Sequence, residues 1–433
     1  MLHCTEAPII PAAPGTHGSV YLPSACWLPT PARASLSPQT VSGHRHMFPS
    51  LASPDEEVVD EAHGVLHAPY SEGYDNGFDP RAHDVRLYRA RTRDAGRASL
   101  AAVVARLAEK RPVTRVVYTF LVAWALDVAR NAGVPAALYW IQPATIFAVY
   151  HRCFVGGHGD ALAAAASGSV ELPGLPALGA DALPSIVSAA SPEHPMHGAF
   201  QAFRDLFADV DEHRPMVLVN TFEALESEAL RAVPELEVVA VGPAVPDEAS
   251  LSPRTTDDTT EGYMAWLDSK AARSVVYVSF GSFVPMSARQ EMEMRRGLEA
   301  AGRPYLWART GAGATEQDDA EVEKEEQVGM VVSWCEQVCV LSHPAVGCFV
   351  THCGWNSALE SVACRVPVVA LPQWTDQPTV AWLLAERAGV AVRARPAAAG
   401  GDGVVEAAEL RRCVEAVMSD GQRAGEIRAR VDK

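Results

Sequence analysis

An α/β fold of two Rossmann-like domains facing a cleft is predicted by three features of this sequence. From about Val113 onward, short apolar runs alternate with helix-like segments, the pattern of βαβ units over a parallel sheet. The alternation is interrupted at residues 243–262 by a stretch rich in Pro, Ser, Thr and Asp, and then resumes. At 433 residues the chain exceeds one typical core, so the interruption reads as a linker between domains. The expected domains are 1–242, with 1–41 atypical, and 263–433.

In the first half VVYTFLV (116–122) reads as a buried strand. It leads into the helix WALDVARNAG, ended by Gly133 and Pro135. AALYWI, PMVLVNTF and EVVAVGP follow as further strands. In the second half SVVYVSF is a strand and GSFVPM a Gly-containing loop. A helix then starts at Ser287, where Ser287 and Gln290 form a capping-box pair, and stops at Gly302. The charge run 315–327 reads as a solvated loop. GMVVSW, a short helix, VGCFVT, a helix from Asn356, PVVAL and a helix after Asp376 complete the series. No internal repeat is visible. Ligands of such sheets bind beyond the carboxyl ends of the strands, which directs attention to the loops after VSF, VVSW, FVT and VAL.

Composition narrows the partners. A formal net charge of -17 argues against nucleic acid and anionic membrane, because both need a basic footprint. The nine cysteines are scattered without a disulfide spacing, which suggests a reducing compartment. MLHCTEAPIIPAAPG lacks the basic and apolar regions of a signal peptide. The most apolar stretch, 116–129, contains Asp127 and is too short to span a bilayer. A monomeric cytoplasmic protein is expected.

The loop THCGWNSALES carries the most chemistry. A strand ends at Thr351, a Gly-containing turn follows, and the next helix start offers free N–H groups and a positive dipole end to a diphosphate. Asn356, Ser357 and His352 can add side-chain hydrogen bonds. The structural alternative is a capping box between Ser357 and Glu360. A zinc site among Cys335, Cys339, His343, Cys348, His352 and Cys353 is disfavoured, since the spacings give no C-x-x-C pair and Cys348 lies inside an apolar strand.

The longer span from Trp334 to Gln377 reads WCEQVCVLSHPAVGCFVTHCGWNSALESVACRVPVVALPQWTDQ. It resembles, almost residue for residue, the donor-binding signature of plant-type UDP-dependent glycosyltransferases of family 1. The likeness extends to SGHRHMFPSLASPDEE, PYSEGYDNGFDP, YWIQPAT, ELPGLPAL and VNTFEALE, which look closest to the branch of anthocyanin 5-O-glucosyltransferases and crocetin and indole-acetate glucosyltransferases.

The resemblance implies a GT-B fold, a UDP-glucose co-substrate, no cofactor or metal, and a small phenolic, flavonoid or hormone-like acceptor. It implies that Trp334 stacks on uracil, with the Cys335 backbone and Gln337 placing base and ribose. Glu360 would accept from the ribose diol. His352, Trp355, Asn356 and Ser357 would surround the diphosphate, with Ser282 adding a phosphate contact. Asp376 and Gln377 would accept from and donate to the sugar hydroxyls, a closing Gln pointing to glucose. Tyr139, Trp140, Phe147 and Tyr150 are candidates for either an acceptor pocket or the core.

The implied mechanism is inverting, with a histidine as base in a G-x-H turn. Gly15-Thr16-His17 is the candidate, although Pro8, Pro11 and Pro14 stand where the family has a strand, and Pro23, Pro29, Pro31 and Pro38 where it has a helix. Thr119 takes the place of the usual acidic partner, and Asp127 reads as a surface residue. Arg365 replaces a usual glycine, with a cost of roughly 1 kcal/mol if φ is positive there. The terminal helix of relatives is expected to be missing. The alternative reading is a catalytically impaired relative that binds UDP-sugar without efficient transfer.

Overall fold

The computed structural model describes residues 2–3, 35–47, 53, 56–60, 65–79, 82–109, 112–165, 168–245, 258–281, 286–309, 329–397 and 403–433. His17, Ser282 and the charge run 315–327 lie outside the described residues. The chain divides into two compact α/β units. The first comprises 1–160, 172–175 and 195–242; the second comprises 161–171, 176–194 and 243–433.

The first unit is built on eight strands: β1 (Leu2–His3), β2 (Ser35–Thr40), β3 (Val58–Asp60), β4 (Val65–Tyr70), β5 (Val116–Thr119), β6 (Ala136–Trp140), β9 (Met216–Val219) and β10 (Val238–Ala240). The last two numbers allow for a small hairpin, β7 (Ser169–Val170) and β8 (Leu178–Gly179), in the second unit. The sheet order is β10-β9-β6-β5-β1-β2-β4-β3, parallel except for β3 against β4. Pro38 lies inside β2 rather than in a helix.

Strand β5 ends at Thr119, short of the expected Val122. Phe120–Val122 turns as a 3-10 helix that leaves Leu121 42% exposed, so this part of the apolar run is not a buried strand. The helix after β6, Ala144–Phe154, has an unusual cap. The buried Glu226 carboxylate accepts from the Ala144 and Thr145 amides and from the Thr145 and Thr221 hydroxyls. It supplies acceptors to a helix start whose own turn has none. Trp140, Phe147 and Tyr150 are fully buried in an aromatic core with Phe203 and Phe207, which settles them as packing residues.

The second unit carries a six-stranded parallel sheet: β11 (Val275–Ser279), β12 (Tyr305–Ala308), β13 (Gly329–Val332), β14 (Val346–Thr351), β15 (Val368–Ala370) and β16 (Ala391–Arg393), in the order β13-β12-β11-β14-β15-β16. Fully buried β11, β12 and β14 are continuous apolar runs, as strands covered on both faces require. A helix begins at Asp258, inside the stretch read as linker. Tyr263, Trp266 and Leu267 form an apolar face at helical spacing that packs into the core with Tyr277 and Phe349.

Helix Ala288–Ala301 starts as expected, with Ser287 Oγ accepting from the Gln290 amide at 3.2 Å and Gly302 closing it at φ 62°. Only half of the capping box forms. The Gln290 side chain instead bridges both backbone groups of Val405, at 2.9 and 2.8 Å.

Candidate functional site

In the second sheet the strand order reverses between β11 and β14, and in such sheets the crevice at that reversal is where ligands bind. The loops leaving these two strands hold Gly281 and His352. The His352 ring is crowded between them: a Cβ on Gly354 would fall 2.6 Å from His352 Nε2, and one on Gly281 would fall 3.2 Å from its Cε1. Gly281 also has φ 68°, so glycine is needed there twice over. Burial pushes the His352 imidazole down to about 4, partly offset by a hydrogen bond with the Ser279 backbone, and the ring is neutral at pH 7.

The helix after this turn runs Trp355–Ala363, with Gly354 as N-cap and no side-chain cap. It starts one residue before the expected Asn356. Ser357 and Glu360 do not form a capping box, because Ser357 already lies within the first turn. Both instead receive the Gln337 amide: Nε2 donates to Ser357 Oγ at 2.9 Å and to Glu360 Oε2 at 2.6 Å. Burial raises the Glu360 pKa, and the Gln337 bond opposes that shift. Trp355 is 4% exposed, so its side chain is a core anchor, whereas Asn356 is exposed beside it.

Gln337 begins the short helix Gln337–Leu341 that follows β13. Its Oε1 accepts from the Tyr277 hydroxyl at 3.3 Å, and that hydroxyl also contacts Cys335 Sγ at 3.2 Å. Tyr277 is buried and stacked on Phe349 at 4.9 Å. The Cys335 thiol therefore faces inward, where burial pushes it up to about 12. Trp334, in contrast, is 43% exposed, an uncommon state for a large apolar ring next to a built polar network.

The third loop, after β15, carries Asp376 and Gln377. Thr375 sits at φ 53°, and its hydroxyl donates to Asp376 Oδ1 at 2.7 Å. Burial raises the Asp376 pKa. Gln377 is buried, and its Oε1 accepts from the Gln373 and Trp374 amides at 2.9 and 3.2 Å, so the loop occupies its carbonyl. Cys353 (φ 64°), Arg365 (φ 57°) and Thr375 are non-glycine residues at positive φ, all close in sequence to these loops.

A model of the UDP-glucoronosyl and UDP-glucosyl transferase family matches residues 193–420. Crocetin glucosyltransferase from Gardenia jasminoides is 40% identical over 388 residues, covering 86% of this chain and 81% of that protein. Anthocyanidin 3-O-glucoside 5-O-glucosyltransferase 1 from Perilla frutescens is 40% identical over 384 residues, covering 84% and 80%. The chain belongs to this family.

It is a plant-type family 1 glycosyltransferase. Among solved structures, Os79 from O. sativa in complex with UDP superposes with a TM-score of 0.72 at 29% identity, over 92% of this chain and 88% of that one. The fold is thus GT-B, two Rossmann-like domains of the kind the two units display.

Within the transferase the predicted donor residues that are described, Trp334, Cys335, Gln337, His352, Trp355, Asn356, Ser357, Glu360, Asp376 and Gln377, all lie on the three loops and helix starts just described. A cavity of about 510 Å3 is lined by Phe280 of the loop after β11 and by Leu371 and Gln373 of the loop after β15, next to Gln377.

In the first unit the sheet order reverses between β1 and β5, and Thr119 closes β5 at that reversal. Its hydroxyl is buried with no hydrogen-bond partner among the described residues. Asp127 is 36% exposed and pairs with Arg97, as a surface residue does.

His343 bonds Asp268 at 3.1 Å, and the Cys348 and Cys353 thiols are buried and pushed upward by burial, so these side chains serve packing. Among the described residues no helix is long and apolar enough to cross a membrane. Sequence reading missed Tyr277 and Thr375. Tyr277 looks like any strand residue, and nothing local marks Thr375 as left-handed.

Proposed function

We propose that this glycosyltransferase moves glucose from UDP-glucose, with inversion, to a hydroxyl or carboxyl of a small phenolic, flavonoid or hormone-like acid in the cytoplasm, acting as a monomer. The observation that carries the donor half is the Gln337 amide held between Tyr277, Ser357 and Glu360, with an exposed Trp334 three residues before it in the chain. That arrangement offers a ring face to a base and a fixed carboxylate to a diol. The uncapped start of Trp355–Ala363, neutral His352 and the Ser282 loop would receive the diphosphate, and their donors would stabilise it as it leaves. This chemistry needs no metal. Asp376 would accept from the sugar hydroxyls and the Gln377 NH2 would donate. The acceptor class follows the names of the similar crocetin and anthocyanidin enzymes.

His17 is the proposed base, taking the acceptor proton while its oxygen attacks the anomeric carbon and UDP leaves from the opposite face. Such a base contributes about 10²–10⁴-fold. The second reading, a UDP-sugar binder with poor transfer, is favoured by one observation: β5 ends in Thr119, with a buried uncharged hydroxyl, at the position where the family resemblance implies an acidic residue. Calorimetry with UDP and a turnover assay over a panel of phenolic acids separate the two. Tight UDP binding without glucoside, unchanged in His17→Ala, would sink the active-enzyme reading.

A further inference from the structure

The segment 176–194 precedes the second sheet by some eighty residues, yet it packs as part of that unit. Three grips hold it. Arg393 donates to the Asp181 carbonyl at 2.7 Å and meets its carboxylate at 3.2 Å. Buried Thr379 donates its hydroxyl to the Ala182 carbonyl at 2.7 Å. Ser185 and Thr375 form a reciprocal pair: the Ser185 amide donates to the Thr375 carbonyl at 2.9 Å, and the Thr375 amide donates to Ser185 Oγ at 2.7 Å.

The third grip falls on the residue that most needs one. Thr375 is left-handed at φ 53°, a conformation that a β-branched residue adopts only when its surroundings enforce it. The Ser185 pair satisfies both of its backbone groups. From there the Thr375 hydroxyl donates to Asp376 Oδ1, and the next residue, Gln377, ties its carbonyl to the Gln373 and Trp374 amides. A line of hydrogen bonds thus runs from Ser185 through Thr375 to the Asp376 carboxylate.

We propose that Ser185 is a positioning residue for sugar recognition: it holds Thr375 left-handed, so that Asp376 and Gln377 meet the hexose of the donor in one orientation. This rests on the reading of Asp376 and Gln377 as the sugar-contacting pair. Ser185 acts on the hexose half of the donor and leaves the nucleotide half alone, because the Gln337 amide is bonded to Tyr277, Ser357 and Glu360, whereas Ser185 bonds the Thr375 backbone.

The test compares wild type, Ser185→Ala, Ser185→Thr and Thr375→Val, with Kd for UDP and for UDP-glucose from calorimetry and KM and kcat for UDP-glucose and UDP-galactose. In Ser185→Ala, UDP affinity should stay within twofold while KM for UDP-glucose rises about five- to tenfold, the loss of one hydrogen bond. Preference for glucose over galactose should shrink in parallel. Ser185→Thr keeps the acceptor oxygen and should restore both. Thr375→Val, which breaks the line one step later, should copy the Ala phenotype. Equal weakening of UDP and UDP-glucose, or an unchanged sugar preference in both Ser185→Ala and Thr375→Val, overturns the positioning role while the donor reading stands. A wild-type chain that binds neither ligand removes the donor reading and the positioning role with it.

Discussion

The side-chain amide of Gln337 spans two helices, donating to Glu360 Oε2 at 2.6 Å and Ser357 Oγ at 2.9 Å, and the Tyr277 hydroxyl behind it fixes which way the amide faces. Glu360 is thus a half-buried carboxylate held by a neutral amide rather than by a cation. Its folded pKa is raised above 4.5, so the folded state holds the proton more tightly than the unfolded chain. The linked stability is fully present below 4.5 and is lost as pH rises through the raised value. Glu360→Gln, which removes the charge but keeps an acceptor oxygen, should leave the melting temperature at pH 7 equal or higher. UDP affinity should fall roughly 10- to 100-fold, as expected for hydrogen bonds to a charged group. A melting temperature several degrees lower would contradict this account.

Trp334 separates folding from binding even more sharply. The ring is 43% exposed, so truncation removes little buried area. Trp334→Ala should unfold in denaturant within about 0.5 kcal/mol of wild type, as surface changes do. UDP affinity should drop by about 1–3 kcal/mol, the worth of one base stacked on an aromatic ring. Unaltered calorimetric affinity would mean that uracil sits elsewhere.

His352 should titrate far from an ordinary histidine. Its folded value is lowered from 6.5 to about 4, chiefly by burial. The unfolded chain then binds the extra proton first, so stability present above 6.5 is lost as pH falls from 6.5 toward 4. In the ligand-free protein its Cε1 proton resonance should show no titration step between pH 5 and 8. A midpoint near 6.5 would show that the ring is solvated rather than buried.

Arg365 occupies φ 57° just past the helix Trp355–Ala363, with its own amide on Val362 and the Val366 amide on Ser361. That is a helix-terminating turn suited to glycine. Arg365→Gly should stabilise the protein by about 1 kcal/mol, a rise of a few degrees in melting temperature. A fall in melting temperature would mean the exposed guanidinium makes a contact worth more than the strain.

How far the site was legible differs from loop to loop. The loops after β13 and β14 could be read because Trp334, Gln337, His352 and Glu360 lie in one continuous pattern whose chemistry is local to strand ends and helix starts. The role of Ser357 and Glu360 was ambiguous, since S-x-x-E serves a cap as readily as a ligand. The structure excludes the cap, since both side chains accept from Gln337 on another helix. The VVYTFLV run looked like one strand, but the chain turns at Phe120, and a strand's end is set by where the neighbouring chain stops pairing.

The sequence alone determined the α/β alternation and the family, and it set the donor-side expectation, because each depends on short-range patterns: apolar runs, turn residues and one long motif. Only the tertiary structure decided that Trp140, Phe147 and Tyr150 are core, that Tyr277 backs Gln337, and that Ser185 grips Thr375. Those facts join residues separated by 60 and 190 positions in the chain, or depend on which face of an element is covered. No periodicity records such pairings; packing alone makes them.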